Sequence, residues 1–250
     1  MMLLLVTVVT IMLYCWFGIR TSQSARLRNW PISRYALFAA GICSISVALS
    51  FHAQSHHNFQ VHMFVHLLLG MLAPLLLVLS APITLLLRTL PVSFARFLTR
   101  LLRLRFVSFV TNPFVAMLLN FGGLWILYQT ILFEWMHTFR IVNVAVHVHL
   151  FIAGFVFTSS ILYIDPVPHR FSFRFRALVM ILGFTLHSIL SKIIYSASLP
   201  GVPIADAKQG AVFMYYGGDL IDACLIGAFC FQWYRKSMVH VPLNESLSNT

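Results

Sequence analysis

Long apolar stretches separated by short polar loops are the dominant pattern along the chain. Each stretch holds about 18 or more mostly apolar residues, the length that a helix needs to cross the hydrocarbon core of a bilayer. Apolar and polar residues do not alternate, as they would in the strands of a membrane barrel. The pattern therefore predicts an all-α polytopic membrane protein, because only helices and closed barrels satisfy the backbone hydrogen bonds in lipid.

Seven spans follow from this pattern and predict a seven-transmembrane-helix bundle in one integral membrane domain, residues 1–250. The predicted spans cover about residues 2–19, 34–53, 59–81, 113–133, 141–163, 177–198 and 209–233. Residues 234–250 are predicted to form a short cytoplasmic tail. Pro74 lies inside the third span and is expected to kink it, because proline has no N–H to donate.

Arginine and lysine alternate between the loops in a way that predicts the topology. The first, third and fifth loops and the tail are basic, whereas the second, fourth and sixth hold at most one Lys or Arg each. Since basic loops stay in the cytoplasm, the N-terminus is predicted outside and the C-terminus inside. The third loop spaces its arginines among Leu and Phe, so it is expected to lie along the inner membrane surface as an amphipathic segment.

Composition supports a membrane protein and removes one competing interpretation. Of the 250 residues, 60% are hydrophobic and only 9% are charged, which excludes an ordinary soluble domain. A net charge of +11 would suggest nucleic acid as the partner of a soluble protein. Here the basic residues are confined to short loops, so the lipid bilayer, and no nucleic acid, is the expected partner. The four cysteines form no CxxC motif and are expected to be buried structural thiols.

Ionisable residues within the spans are candidates for function, because they are costly in lipid without a partner. A rise of about 1.5 Å per residue places most of them in the half of the bundle predicted to face outward. They are His52, His62, His66, His147, His187, Lys192, Asp219 and Asp222. His62 and His66 are four residues apart and share one helix face. The sequence thus predicts a cluster of imidazoles near the outer membrane surface.

Clustered imidazoles predict a transition-metal site. Neutral histidine is the commonest ligand of these metals, and copper and zinc both accept it. We expect His62, His66 and His147 to be the ligands, with His187 and Asp219 behind them to orient or relay. Additional candidates are His52 and Asp206 at the outer mouth, where a carboxylate would attract cations, and the thioethers of Met63 and Met214, which suit Cu(I).

Two other functions remain open. Paired histidines on neighbouring helices can hold haem b, which would make the protein a haem-binding membrane redox protein. A proton-coupled transporter could use Lys192, His187, Asp219 and Asp222 as a relay, although no inverted repeat is evident. Lys192 is also expected to pair with an aspartate of the last span. No GxSxG, HExxH or P-loop motif occurs, so no enzymatic reaction is predicted.

Four segments, in order along the chain, carry a resemblance to a known family. They are VHMFVHLLLGMLAPLLLVLSAP at 61–82, HVHLFIAGFVFTSSILYIDPVPHR at 147–170, LHSIL at 186–190 and DAKQGAVFMYYGGDLID at 206–222. These segments resemble the seven-span cytochrome c oxidase assembly factor CtaG family. That family is linked to the formation of the caa-type terminal oxidase, a copper enzyme, and a role in copper handling is usually inferred for it.

The resemblance implies an assembly and metal-handling factor, not an enzyme, in the bacterial plasma membrane as a multi-pass protein. Oxidase subunits are its implied partners and copper its implied ligand. The positions that match the family are His62, Met63, His66, Pro74, His147, His187, Asp206, Gly210, Met214, Gly217, Gly218 and Asp219. Members often carry a histidine late in the fourth span, where Tyr128 stands here. A ligand is then missing, or it is supplied by His52 or His137.

Overall fold

The computed structural model describes residues 1–23, 27–55, 58–167, 169–197 and 199–239, and within these ranges the regular structure is helical throughout. The helices are α1 (Met2–Ser22), α2 (Ile32–Ser55), α3 (Phe59–Leu67), α4 (Ala73–Ser80), α5 (Pro82–Thr89), α6 (Val92–Leu102), α7 (Arg105–Val110), α8 (Pro113–Met117), α9 (Gly123–Gln129), α10 (Leu132–Thr138), α11 (Arg140–Leu162), α12 (Phe173–Ser196) and α13 (Ile204–Val239). The described part of the chain also contains two π-helical turns, Leu68–Leu72 between α3 and α4 and Leu118–Gly122 between α8 and α9.

Six helical segments of the described chain are long and apolar enough to cross a membrane. They are Met2–Ser22, Ile32–His52, Phe59–Thr89, Arg140–Leu162, Phe173–Ser196 and Ile204–Arg235. A seventh span results if Pro113–Gln129 and Leu132–Thr138, which meet at a bend of 79°, are counted together. The predicted all-α polytopic bundle is confirmed, while the side of the membrane that each terminus faces stays a prediction. The last helix continues to Val239, into the predicted tail, and residues 240–250 lie outside the described ranges.

Local sequence signals determine where several helices begin. The Asn58 side chain accepts hydrogen bonds from the backbone N–H groups of Gln60 and Val61, which caps the start of α3. Asn112 accepts from the N–H of Phe114, and Pro113 occupies the first position of α8. These caps satisfy N–H groups that have no partner within the helix. The Asn58 cap therefore fixes where α3, the helix of His62 and His66, begins.

The segment from Phe59 to Thr89 forms the centre of the bundle. Of its apolar window, 72% is buried, against 39% or less in the other five long spans. Its first part, α3, packs against α2 and α13, and α4 packs against α2 and α11. The two imidazoles of α3 are therefore surrounded by protein rather than lipid.

A π-helical turn accommodates Pro74 without breaking the span. Proline cannot donate an N–H to the carbonyl of Gly70 four residues earlier, and the turn Leu68–Leu72 lies at that point. The backbone of α11 approaches closely here, since a Cβ on Gly154 would collide with the Gly70 carbonyl oxygen. The expected distortion at Pro74 thus takes the form of a widened turn in contact with a neighbouring helix.

The apolar segment that begins at Phe59 continues through α5 to Thr89, beyond the predicted end near residue 81. The rest of the third loop folds into the short helices α6 and α7. No residue of α6 is buried, and this helix exposes Phe94, Phe97 and Leu101 together with its arginines Arg96 and Arg100. Apolar and basic side chains on one exposed helix are typical of segments that lie in a membrane interface. The placement of this segment on the inner surface stays a prediction.

The turn after α11 is tied to the start of α5. The Asp165 carboxylate accepts hydrogen bonds from the backbone N–H of Ile83 at 3.2 Å and of Thr84 at 2.7 Å, and from the Thr84 hydroxyl at 2.6 Å. Burial raises the pKa of Asp165, and these hydrogen bonds oppose the rise. Asp165 therefore caps a helix that begins directly after Ala81, a residue in the left-handed region at φ 55°.

The expectation of buried cysteines is wrong. Cys43, Cys224 and Cys230 are exposed on the outward faces of their helices, and Cys15 is half-buried. Lipid is as apolar as a protein core, so a thiol on the outside of a membrane bundle does not need burial.

Candidate functional site

The two histidines of α3 both point into the bundle. His62 is 5% exposed and His66, one helical turn further along, is 2% exposed. Their shared helix face is the one that the i, i+4 spacing predicts. The structure nevertheless places them in two different neighbourhoods.

His62 belongs to the four-histidine group, which we define as His52, His62, His137 and His147. The ring centres of His52 and His147 are 4.7 Å apart, and the ring centre of His62 lies 6.2 Å from that of His137 and 6.4 Å from that of His147. These side chains come from α2, α3, α10 and α11. His52 and His137, the two predicted substitutes for a fourth-span histidine, thus both lie beside predicted ligands.

Backbone carbonyls orient two rings of the four-histidine group. Nδ1 of His137 lies 2.8 Å from the carbonyl oxygen of Phe133, and Nδ1 of His147 lies 2.9 Å from that of Asn143. A carbonyl can only accept, so Nδ1 carries the proton in each of these rings. The lone pair of each neutral imidazole is then on Nε2, the atom able to ligate a metal.

Tyr128, on α9, contacts a member of the four-histidine group. Its hydroxyl lies 2.9 Å from Nε2 of His62 and donates to Sδ of Met63 at 3.8 Å. The phenol is buried, and it stands where the family often has a histidine. The departure from the family pattern therefore replaces a candidate ligand with a hydrogen-bonding partner of His62.

The central pair, His66 of α3 and His187 of α12, lies deeper. The two ring centres are 6.1 Å apart, and His187 is 1% exposed. Three ring nitrogens of this pair have no hydrogen-bond partner among the described residues. They are Nδ1 and Nε2 of His66 and Nε2 of His187. A buried polar group left unsatisfied costs about 1–3 kcal/mol. Such a pair is therefore well suited to a ligand that accepts imidazole lone pairs.

Glycines of α13 make room for these side chains. A Cβ on Gly218 would lie 2.5 Å from Cε1 of His187, and one on Gly217 would lie 2.5 Å from Cδ1 of Leu67. A Cβ on Gly210 would collide with the ring of Phe59. The glycines of the DAKQGAVFMYYGGDLID segment thus let α13 approach α3, and Gly218 accommodates the His187 ring.

The remaining predicted site residues are distributed around this centre. Met63 and Met214 are fully buried in the same core cluster. Asp219 is exposed on α13, whereas Asp222, one turn along from Gly218, is buried. The Lys192 ammonium lies 5.5 Å from the centre of the Tyr215 ring instead of forming the expected ion pair with a described aspartate.

Burial of the imidazoles increases from the bundle end toward its centre. His137 is exposed, His52 and His147 are half-buried, and His62 and the central pair are buried. An ion about 2.0 Å from a ring nitrogen lies about 3 Å from the ring centre, so two rings on one ion have centres about 5–6 Å apart. The ring centres of His66 and His187, 6.1 Å apart, lie at the upper end of this spacing, whereas those of His52 and His147, at 4.7 Å, lie below it. As the described side chains stand, no three His, Cys, Asp or Glu form a closed metal site.

Two cavities open onto the four-histidine group. One has a volume of about 450 Å³ and is lined by Phe59, Glu134, His137 and Asp206 among others, and the Phe59 ring stacks on His62. The other is a groove of about 750 Å³ between α2 and α11, lined by His52, His137 and His147 among others. His137 borders both cavities.

The sequence predicted His137 only as a possible replacement for the histidine that is missing from the fourth span. His137 follows the 79° bend between α9 and α10. A continuous straight span would have carried this residue away from His62. The available signal was the polar pair Gln129 and Thr130, at the point where the apolar run of the fourth span is interrupted.

Comparison with known proteins identifies related chains. The family model described as cytochrome c oxidase caa3 assembly factor matches residues 12–236. Uncharacterised proteins of Mycobacterium bovis and Mycobacterium tuberculosis are each 29% identical over 240 residues, covering 84% of this chain and 35% of the relative. One of Mycobacterium leprae is 28% identical over 231 residues, covering 83% and 35%. The chain spans about a third of the length of these relatives. No solved structure matches it.

Proposed function

Because the chain belongs to the cytochrome c oxidase caa3 assembly factor family, we propose that it binds copper and delivers it to a caa-type oxidase during assembly. Copper is then cargo rather than a resident cofactor. The proposed activity is the binding and release of an ion, without catalysis of a reaction. The proposed location is a bacterial cell membrane, with the histidines in the half of the bundle that faces outward.

The observation that carries this proposal is the central pair. His66 offers two buried ring nitrogens, and His187 offers one, that have no hydrogen-bond partner in the described chain. Neutral imidazole binds Cu and Zn well. Because Asp219 is exposed, no predicted carboxylate ligand stands behind the pair, while Met63 and Met214 are buried in the adjoining core. Soft thioethers beside imidazoles favour Cu(I) over harder divalent ions.

The four-histidine group supports an access route to this pair. Glu134 and Asp206 line the mouth of the cavity and would raise the local cation concentration there. His137 borders that cavity, and His62 lies 6.2 Å beyond it between ring centres. His66 follows one helical turn deeper on α3. The increasing burial of these rings suits stepwise transfer between weak sites better than one closed structural site.

Measurement of Cu(I) binding by the purified protein tests this proposal. We expect wild type to bind Cu(I) and the double variant His66→Ala/His187→Ala to lose that binding, because both central donors are absent. His149→Ala is the matched control, since His149 lies exposed on α11 with its Nε2 3.1 Å from the carbonyl oxygen of Leu119. Equal Cu(I) affinity of wild type and the double variant would refute the site.

A cellular experiment addresses the assembly role separately. In cells that lack the protein, we expect caa-type oxidase activity in the membranes to be restored by wild type and by His149→Ala. We expect the central-pair double variant, at equal protein level, to restore it only when copper is supplied in excess. If the double variant restores oxidase activity at ordinary copper concentration, then oxidase assembly does not require copper binding at this pair.

A further inference from the structure

The surface helix α6, Val92–Leu102, has three sides of different character. Its half-buried residues recur every three or four positions, so they share one side, which faces the rest of the protein; they are Ala95, Leu98, Thr99 and Leu102. A second side, which we call the apolar side, carries the exposed residues Phe94, Phe97 and Leu101. Large apolar side chains grouped on a surface mark a place of interaction.

The third side of α6 is basic. Arg96 and Arg100 lie on the helix and Arg103 directly follows it, and all three are exposed. We call them the arginine side. At 3.6 residues per turn, their mean direction lies about 130° around the helix from that of the apolar side. Residues 82–129 contain five arginines and no Asp, Glu or Lys, so this segment holds no carboxylate that could neutralise the arginine side.

Helix α6 begins where a membrane-spanning segment ends. Two residues separate it from the end of the segment Phe59–Thr89. The last turn of that segment is fixed to the chain between α1 and α2, because Nη1 of Arg88 donates to the carbonyl oxygen of Arg28 at 3.2 Å. The Arg88 guanidinium also lies 5.1 Å from the centre of the buried Trp30 ring. Headgroups border the hydrocarbon core of a bilayer, so α6 starts at the level of the lipid phosphates.

We propose that α6 binds the phosphate groups of anionic phospholipids. The arginine side contacts the phosphates, because a guanidinium forms paired hydrogen bonds with phosphate oxygens. The apolar side enters the adjoining acyl chains, as in other helices that lie in the plane of a membrane interface. An anionic phospholipid presents both groups to the same helix, which favours lipid over an acidic protein segment. This surface is separate from the proposed copper function.

Native mass spectrometry of the full chain tests the proposal by counting bound lipids. The protein, in an uncharged detergent and without copper, is mixed with equal amounts of phosphatidylglycerol and phosphatidylcholine that carry the same acyl chains. We expect wild type to retain phosphatidylglycerol preferentially. One basic residue near an anionic surface strengthens binding about fivefold, so Arg96→Gln/Arg100→Gln/Arg103→Gln should reduce this preference at least tenfold.

The matched control removes three positive charges elsewhere. Arg170, Arg174 and Arg235 are exposed and lie outside α6, so Arg170→Gln/Arg174→Gln/Arg235→Gln should keep the preference for phosphatidylglycerol. An equal loss in both triple variants would overturn the proposal, because the attraction would then come from the net charge of the whole protein. Absence of a preference in wild type would also overturn it, and the exposed sides of α6 would then be assigned to a protein partner.

Hydrogen exchange of wild type in nanodiscs provides a second measurement that needs no variant to fold. We expect amide exchange over Val92–Leu102 to slow severalfold when phosphatidylglycerol is added to phosphatidylcholine nanodiscs. The segment Leu132–Thr138, a short helix without Lys or Arg, should exchange equally in both. Equal exchange of α6 in the two kinds of nanodisc would overturn the proposal. Because copper is absent throughout, none of these results depends on copper binding.

Discussion

Replacing Gly218 with alanine should displace the His187 ring without removing any nitrogen donor. A Cβ at this position would lie 2.5 Å from Cε1 and 3.0 Å from Nδ1 of His187. Carbon atoms in favourable contact are at least about 3.5 Å apart, so the ring must withdraw by about 1 Å. His187 is buried and Phe121 lies 6.1 Å away between ring centres, which restricts its retreat.

A displacement of this size is large compared with what metal coordination tolerates. Metal–ligand distances are reproduced to about 0.2 Å, so a ring moved by 1 Å no longer ligates an ion shared with His66. Loss of correct ligand orientation typically costs about 10- to 100-fold in metal affinity. We expect Gly218→Ala to weaken Cu(I) binding by at least this factor. Overpacking costs about 1–3 kcal/mol, and the better helix propensity of alanine returns up to about 1 kcal/mol.

Competition for Cu(I) with a colorimetric chelator measures the affinity, and thermal unfolding in detergent measures the stability. Gly227→Ala is the matched control, because Gly227 lies on the same helix and a Cβ there would meet nothing within 4 Å. The control should bind Cu(I) as wild type does. Wild-type Cu(I) affinity in Gly218→Ala would refute either the ligand role of His187 or the close packing of Gly218 against it.

Two further substitutions test other parts of the structure. Tyr128→Phe removes the hydroxyl that lies 2.9 Å from Nε2 of His62, so we expect a loss of about 1–3 kcal/mol in unfolding free energy; unchanged stability would mean that this hydrogen bond is not formed. Asp165→Ala removes three hydrogen bonds at the start of α5, with an expected loss of about 2 kcal/mol. Asp165→Asn keeps one acceptor oxygen and should lose less, and an equal loss in both variants would contradict the capping role.

The helical class and the positions of the spans were predictable because lipid imposes a simple rule. Every backbone N–H and C=O in the hydrocarbon region must be satisfied within the chain, so long apolar stretches become helices. Capping residues added local detail, as Asn58 does at the start of α3. The bend after Gln129 was harder to predict from the sequence, because the apolar content continues on both sides of it.

Which histidines lie together depends on how each helix is rotated about its own axis. His62 and His66 share a face, yet His62 meets His137 and His147 while His66 meets His187. In a membrane helix both the lipid-facing and the buried side are apolar, so the sequence pattern indicates rotation only weakly. Glycines of α13 allow the close approach to α3 and to His187, and a one-dimensional pattern does not place a glycine against a particular neighbour.

The two aspartates of α13 illustrate this division between sequence and structure. The sequence by itself determined that Asp219 and Asp222 lie three residues apart on a membrane helix, and the family resemblance directed attention to Asp219. Only the tertiary structure decided that Asp219 is exposed and that Asp222 shares a cavity with Asn120. The physical reason is that depth in the membrane follows from counting residues, whereas burial follows from contacts between helices that are distant in the chain.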